Sequence, residues 1–210
     1  MEKSEKFREQ KADFAHLIGR ERKLNMDDCA EENRDMLVGR LKAGNQAAAR
    51  ELVDIYYGQI YVFLRRLGHS RQVSEDLTQE CFLRAWYRIG QLKNGQRLDS
   101  WLYGIAVNAS KLHWRRNKSE KTVDISEINL PDNRMVSSEE AAHYERLIRL
   151  KIALGQLSRK LRQAVVLHYM QHLTIAEAAE AIGVREGTLK SRLNRALKVL
   201  KKQIGPETET

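Results

Sequence analysis

Apolar residues return at every third or fourth position through most of the chain, and no segment alternates apolar and polar residues over a strand's length. That spacing predicts helices throughout. Ala49, Leu52, Val53, Tyr56, Ile60, Phe63 and Leu67 mark one apolar stripe, which "GHSRQVSED" interrupts. Ser74 is expected to cap a second helix, with Leu77, Cys81, Phe82, Ala85, Trp86 and Ile89 on its core arc. Ser100 is expected to cap a third, with Trp101, Leu102, Ile105, Ala109 and Leu112 turned to the core. Pro131 and Pro206 are the two prolines of the sequence, so little breaks the helical pattern.

After Lys118 the pattern lapses. "SEKTVDISEINLPDNRMVSSEEA" is acidic, poor in large apolar residues and contains Pro131, which predicts a linker. Helical spacing resumes near Tyr144, with Ser158 and Thr174 as expected caps. The expectation is an all-α protein with two small helical domains joined by a flexible acidic linker, the C-terminal one a helix-turn-helix. A charged extension covers 1–34, the first domain 35–118, the linker 119–143, the second domain 144–204 and a tail 205–210.

The helix-turn-helix is read from "LTIAEAAEAIGVREGTLKSRLNRALKVLKK". Thr174 and Glu177 have capping-box spacing, Gly183 suits the turn, and Leu189, Leu193, Leu197 and Leu200 line the buried side of the next helix. Its outer arc is basic and hydroxylated, as a helix entering a DNA major groove requires. Arg185, Glu186, Thr188 and Lys190, at its start, are placed for base edges. Ser191, Arg192 and Arg195 are placed for the DNA backbone, and Lys198 lies further along the same DNA-binding arc. Arg185 stands where a Ser or Asp cap is expected.

The formal net charge of +9 agrees with an anionic partner. No apolar run is long enough to span a bilayer and the charged start lacks a following hydrophobic segment, so a cytoplasmic location is expected. Cys29 and Cys81 lack metal or redox spacing, and His168 and His172, four apart, lack a third ligand. No metal, no other cofactor and no small-molecule substrate is expected. Neither paired carboxylates nor a nucleophile with its base stands out, which argues against an enzyme.

Two outward faces of the first domain carry more than solvated surface. On "SEDLTQECFLRAWYRIG" the arc opposite the core holds Asp76, Gln79, Glu80, Leu83 and Tyr87, large apolar groups among acceptors, which suits a protein partner. On "SWLYGIAVNASKLHWRRNK" the second side holds Tyr103, Val107, Lys111, Trp114 and Lys118, with Asn108, Arg115 and Arg116 adjacent. Aromatic rings among cations suit unpaired bases and their phosphates. A second core against another helix accounts equally for Tyr103 and Trp114.

"EDLTQECFLRAW", then "WLYGIAVN" and "RRNK", an acidic linker, and the helix-turn-helix together resemble a bacterial sigma factor of the sigma-70 family, extracytoplasmic-function (ECF) type, over residues 36–203. The resemblance implies a transcription initiation factor that binds core RNA polymerase and directs promoter recognition and opening for an alternative regulon. It implies that Asp76, Gln79, Glu80 and Leu83 dock on polymerase. It also implies that Asn108, Lys111, Arg115, Arg116 and Lys118 hold the -10 element, and that Glu186 to Lys198 reads the -35 element of promoter DNA. An anti-sigma factor is a further partner expected by resemblance. The chain departs from the family at Leu98, Val107 and Leu112, where Phe, Arg and Asp are frequent. The remaining alternative is a stand-alone helix-turn-helix regulator with a helical sensor domain.

Overall fold

The computed structural model describes residues 27–117 and 148–204, apart from Lys151, and among these residues there is no strand. The expected linker over 119–143, most of the expected extension, the tail and Lys118 lie outside the described residues. Four helices build the first domain: α1 (Asp27–Lys42), α2 (Gln46–Leu67), α3 (Arg71–Arg88) and α4 (Leu98–Arg116), with two short 3₁₀ turns, Ile89–Gln91 and Gly95–Arg97, leading into α4.

Local chemistry sets the ends. Asn45 caps α2 by accepting from the Ala48 amide at 3.1 Å, and Gly68, at φ 99°, closes it in the left-handed conformation. Ser70 caps α3 through Val73, not Ser74 as expected. Ser74 lies inside the helix, fully buried. Since Gly68 ends α2, Ser70 is the serine left in extended backbone, as a cap requires. Nor does Ser100 cap α4, which begins two residues earlier out of the 3₁₀ turn. The Ser100 hydroxyl instead donates back to the Arg97 carbonyl at 3.1 Å.

The boundary expected at Arg34 falls within α1, and residues on either side of it tie that helix to the start of α4. Arg34 pairs with Asp99 at 3.2 Å, and the buried Tyr56 hydroxyl donates to the same carboxylate at 2.6 Å. Asp35 accepts from the Gly95 amide at 3.0 Å, so close that a Cβ at Gly95 would lie 2.9 Å from the Asp35 Cα. Glycine is required there by the approach of α1.

In the second domain a helical segment within 148–156 precedes α5 (Arg159–Val165), which runs on into a π-helical turn, Val166–Met170. α6 (Ile175–Ile182) starts with the expected Thr174–Glu177 capping box and ends at Gly183, φ 71°. α7 (Glu186–Ile204) follows, with Leu189, Leu193, Leu197 and Leu200 buried as expected. Buried Arg162 on α5 holds the carbonyls of Leu154, at 2.8 Å, Gly155 and Leu157, and reaches across to Leu67 at the end of α2, at 2.9 Å. The two domains therefore share one continuous apolar core, with α6 laid along α4.

Candidate nucleic-acid interface

α7 presents the expected arc. Arg185, Glu186, Thr188, Lys190, Ser191, Arg195 and Lys198 are exposed while its leucines are buried. The Arg185 carbonyl accepts from Thr188 and Leu189, so the helix starts without a side-chain cap from Ser or Asp. Lys190 and Glu186 pair loosely at 3.8 Å, and Ser191 turns its hydroxyl back to the Gly187 carbonyl. Arg192 differs from its neighbours. It is half-buried, and its charge reaches Lys111 on α4.

The outer face of α3 is also as expected. Leu83 is 60% exposed and Tyr87 81%, beside exposed Asp76 and Gln79 and a half-buried Glu80 that holds Arg84 at 2.6 Å. The core side of the same helix buries Cys81, whose thiol burial pushes up to about 12 and so keeps protonated. A groove of about 240 Å³ between α3 and α4, lined by Leu77, Glu80, Leu112, His113 and Arg116, joins this face to the basic end of α4.

The aromatic face of α4 is not the open platform that its composition suggests. Tyr103 is 3% exposed and Trp114 6%, and Val107 is fully buried. The Tyr103 hydroxyl donates to Gln171 of the second domain at 2.7 Å, and its ring meets Phe63 edge-on at 5.1 Å. Trp114 stacks on His69 at 4.5 Å and lies under the Arg159 guanidinium at 4.6 Å. The physical reason is a second core in place of solvent, built by Gln171 and Phe63 around Tyr103 and by His69, together with Arg159 of α5, around Trp114, with α6 packed along the same helix. Lys111 donates to the Ile182 carbonyl at 3.2 Å, and burial, then the charge of Arg192, lowers its pKa. Asn108, Arg115 and Arg116 remain exposed on the same helix. α4 and α7 thus both carry exposed cations, and α6 packs against each of them.

His69, buried beneath this junction, shares a hydrogen bond of 2.7 Å with the Ser110 hydroxyl. Burial, then the charges of His113, Arg159 and Arg162, brings its pKa down to about 3, so it is neutral at physiological pH. The sequence reading missed His69, Arg162 and Gln171. Gly104 carried a signal, since an isolated glycine inside a strong helical pattern marks close packing.

Residues 52–120 match the family description Sigma-70 region 2, and residues 148–200 match Sigma-70, region 4. The ECF RNA polymerase sigma factor SigM of Mycobacterium tuberculosis is 30% identical over 163 residues, 78% of this chain and 80% of that protein. This chain is an ECF sigma factor of the sigma-70 family. SigW, an ECF RNA polymerase sigma factor of Bacillus subtilis, is 29% identical over 182 residues, 80% of this chain and 94% of that one. Among solved structures, the sigma factor RpoE in complex with the anti-sigma factor NepR, from Bartonella quintana, shares the fold. Its TM-score is 0.59 at 22% identity, over 75% of this chain and 97% of that chain. The sigma factor is accordingly a transcription initiation factor for an alternative regulon, with region 2 on α2–α4 and region 4 from residue 148 onward. No helix among its described residues is long and apolar enough to cross a membrane.

Proposed function

We propose that this sigma factor divides its work among three helices. α3 docks on core RNA polymerase through Asp76, Gln79, Glu80, Leu83 and Tyr87. α4 takes the melted -10 strand through Asn108, Lys111, Arg115 and Arg116, with Lys118 just beyond its end, while Tyr103 and Trp114 serve the core that holds the helix. α7 reads the -35 duplex through Arg185, Glu186, Thr188 and Lys190, with Ser191, Arg192, Arg195 and Lys198 on phosphates.

The observation that carries the assignment is the exposure of Leu83 and Tyr87 on a helix whose other side is fully packed. Exposed aromatic and aliphatic groups flanked by acceptors have the composition of a docking face. The exposed basic arc of α7 supports the duplex role independently. The RpoE relative is solved with an anti-sigma factor, and an anti-sigma factor is proposed as a partner here too. The cytoplasm is the proposed location.

The test is runoff transcription by core polymerase on sheared genomic DNA of the source organism, with and without the protein, followed by sequencing of transcript starts. New starts that share paired upstream motifs are expected. Specific duplex binding by the protein alone, with no new starts, would instead identify a stand-alone regulator.

A further inference from the structure

Six large apolar side chains are exposed among the described residues, and three of them belong to the hairpin of α1 and α2: Met36, 63% exposed, Ile55, 47%, and Val62, 39%. Ile55 and Val62 share one side of α2, with Gly58 between them. Glu51, one turn before Ile55 on that side, pairs with Arg40 of α1, and Arg34 meets the Tyr56 hydroxyl at the Asp99 carboxylate. The two helices therefore run antiparallel, with Met36 level with Ile55.

Two glycines sharpen the picture. Gly39 and Gly58 lie inside helices, each three residues from Met36 or Ile55, and both are exposed. A Cβ added at either meets nothing within 4 Å. Glycine weakens a helix interior relative to alanine, and nothing among the described residues requires it at these positions. A second helix laid closely on this face would require it.

The course of the chain says which helix. Residues 1–26 lead directly into α1, and its first residue, Asp27, lies about 10 Å back along the axis from Arg34, level with Val62. The segment 7–18, "FREQKADFAHLI", holds Phe7 and Phe14, two of the four phenylalanines in the sequence. Leu17 and Ile18 share their helical face, and Arg8 and Glu9 stand opposite. So short a helix is marginal by itself in water, and its apolar face needs a surface to lie on. It would measure about 18 Å, and residues 19–26 can span up to ~26 Å, enough to turn back from α1 along α2.

We propose that residues 7–18 dock as an amphipathic helix on the face formed by Met36, Ile55, Gly58 and Val62 of the same molecule. The docked segment braces α1, which in turn holds the start of α4 through the Arg34–Asp99 pair and the Asp35–Gly95 bond.

Gly58→Gln is the deciding variant. It places a side chain in open space and strengthens α2 as a helix, so region 2 keeps its fold while the docking face is filled. Ile55→Asp removes an apolar anchor from the same face. Each is compared in the full chain and in a chain starting at Met26, which retains every described residue. Brief trypsin digestion read by mass spectrometry measures cleavage after Arg8 and Lys11, and the melting temperature measures the brace.

Cleavage at both sites is expected to be at least about tenfold slower in the full wild type than in full-length Gly58→Gln or Ile55→Asp, as a segment open less than a tenth of the time requires. Gly58→Gln is expected to raise the melting temperature of the chain starting at Met26 by more than that of the full chain, a difference that helix propensity alone does not give. Equally fast cleavage in all three full chains overturns the docking, and protection that survives both substitutions overturns the face. Two further results overturn the intramolecular assignment. Protection that grows with protein concentration, with a dimer in sedimentation, gives the face to a second copy. Weakened core polymerase binding by Ile55→Asp in the chain starting at Met26 gives it to polymerase.

Discussion

The Tyr103 hydroxyl donates to the Gln171 side-chain oxygen at 2.7 Å, joining helix α4 of region 2 to the turn before helix α6 of region 4. The Gln171 amide nitrogen, also buried, finds no partner among the described residues. Removing the tyrosine hydroxyl therefore leaves a buried amide wholly unmatched, and Tyr103→Phe is expected to cost the junction about 1–3 kcal/mol. Amide hydrogen exchange in α6 is expected to accelerate roughly tenfold. Unchanged exchange would mean that the bond contributes nothing to the contact between the domains.

His69 makes the protein acid-sensitive. Its pKa falls from 6.5 in the unfolded chain to about 3 in the fold, so between those values the unfolded chain binds more protons. Stability is then full above about pH 6.5 and declines as pH drops towards 3, by up to about 1.4 kcal/mol per unit. Urea unfolding of wild type and His69→Asn at pH 5 and 7.5 checks this. The wild type is expected to lose more on acidification than the variant, and equal losses would assign the acid effect to other groups.

Arg162 holds four backbone carbonyls from within the core, two in the last turn of the 148–156 segment, one just after it and one at the end of α2. Arg162→Met leaves these acceptors without their donor and is expected to destabilise the fold by about 3 kcal/mol in thermal unfolding. Arg162→Lys is expected to recover little, because a point-like ammonium cannot reproduce the fork of donors. Full recovery by lysine would show that charge, not the carbonyl cage, is what the site requires.

Leu83, well exposed, can be changed without disturbing packing. Leu83→Asp is expected to leave the circular dichroism and melting temperature as they are, yet weaken affinity for core polymerase at least about tenfold, the effect of losing a docking anchor. Leu83→Met is expected to retain binding. Wild-type affinity in Leu83→Asp would move the docking face elsewhere.

Features set by neighbours in sequence were legible before the structure. The leucine stripe of α7, the Thr174–Glu177 box, the Gly183 turn and the outward Leu83 and Tyr87 all follow from residues a few positions apart. Tyr103 and Trp114 were not, because what covers them comes from the other domain: Gln171 lies 68 positions beyond Tyr103. Periodicity tells which sides of a helix are apolar, and is silent on whether the second side meets water, DNA or another helix. Ser70 and Ser74 show the same limit at short range. Both can cap, and the position of Gly68 decides between them.

Lys111 and Arg192 repel across the junction of the two domains, while Arg97 and Glu180 attract across it at 3.0 Å. Added salt screens both, so the two changes oppose each other and the junction is left to apolar packing and the Tyr103–Gln171 bond. Salt also removes the entropic gain of releasing counterions from a promoter. Promoter affinity should therefore fall with salt about as the number of neutralised phosphates predicts, while the contact between the domains changes little.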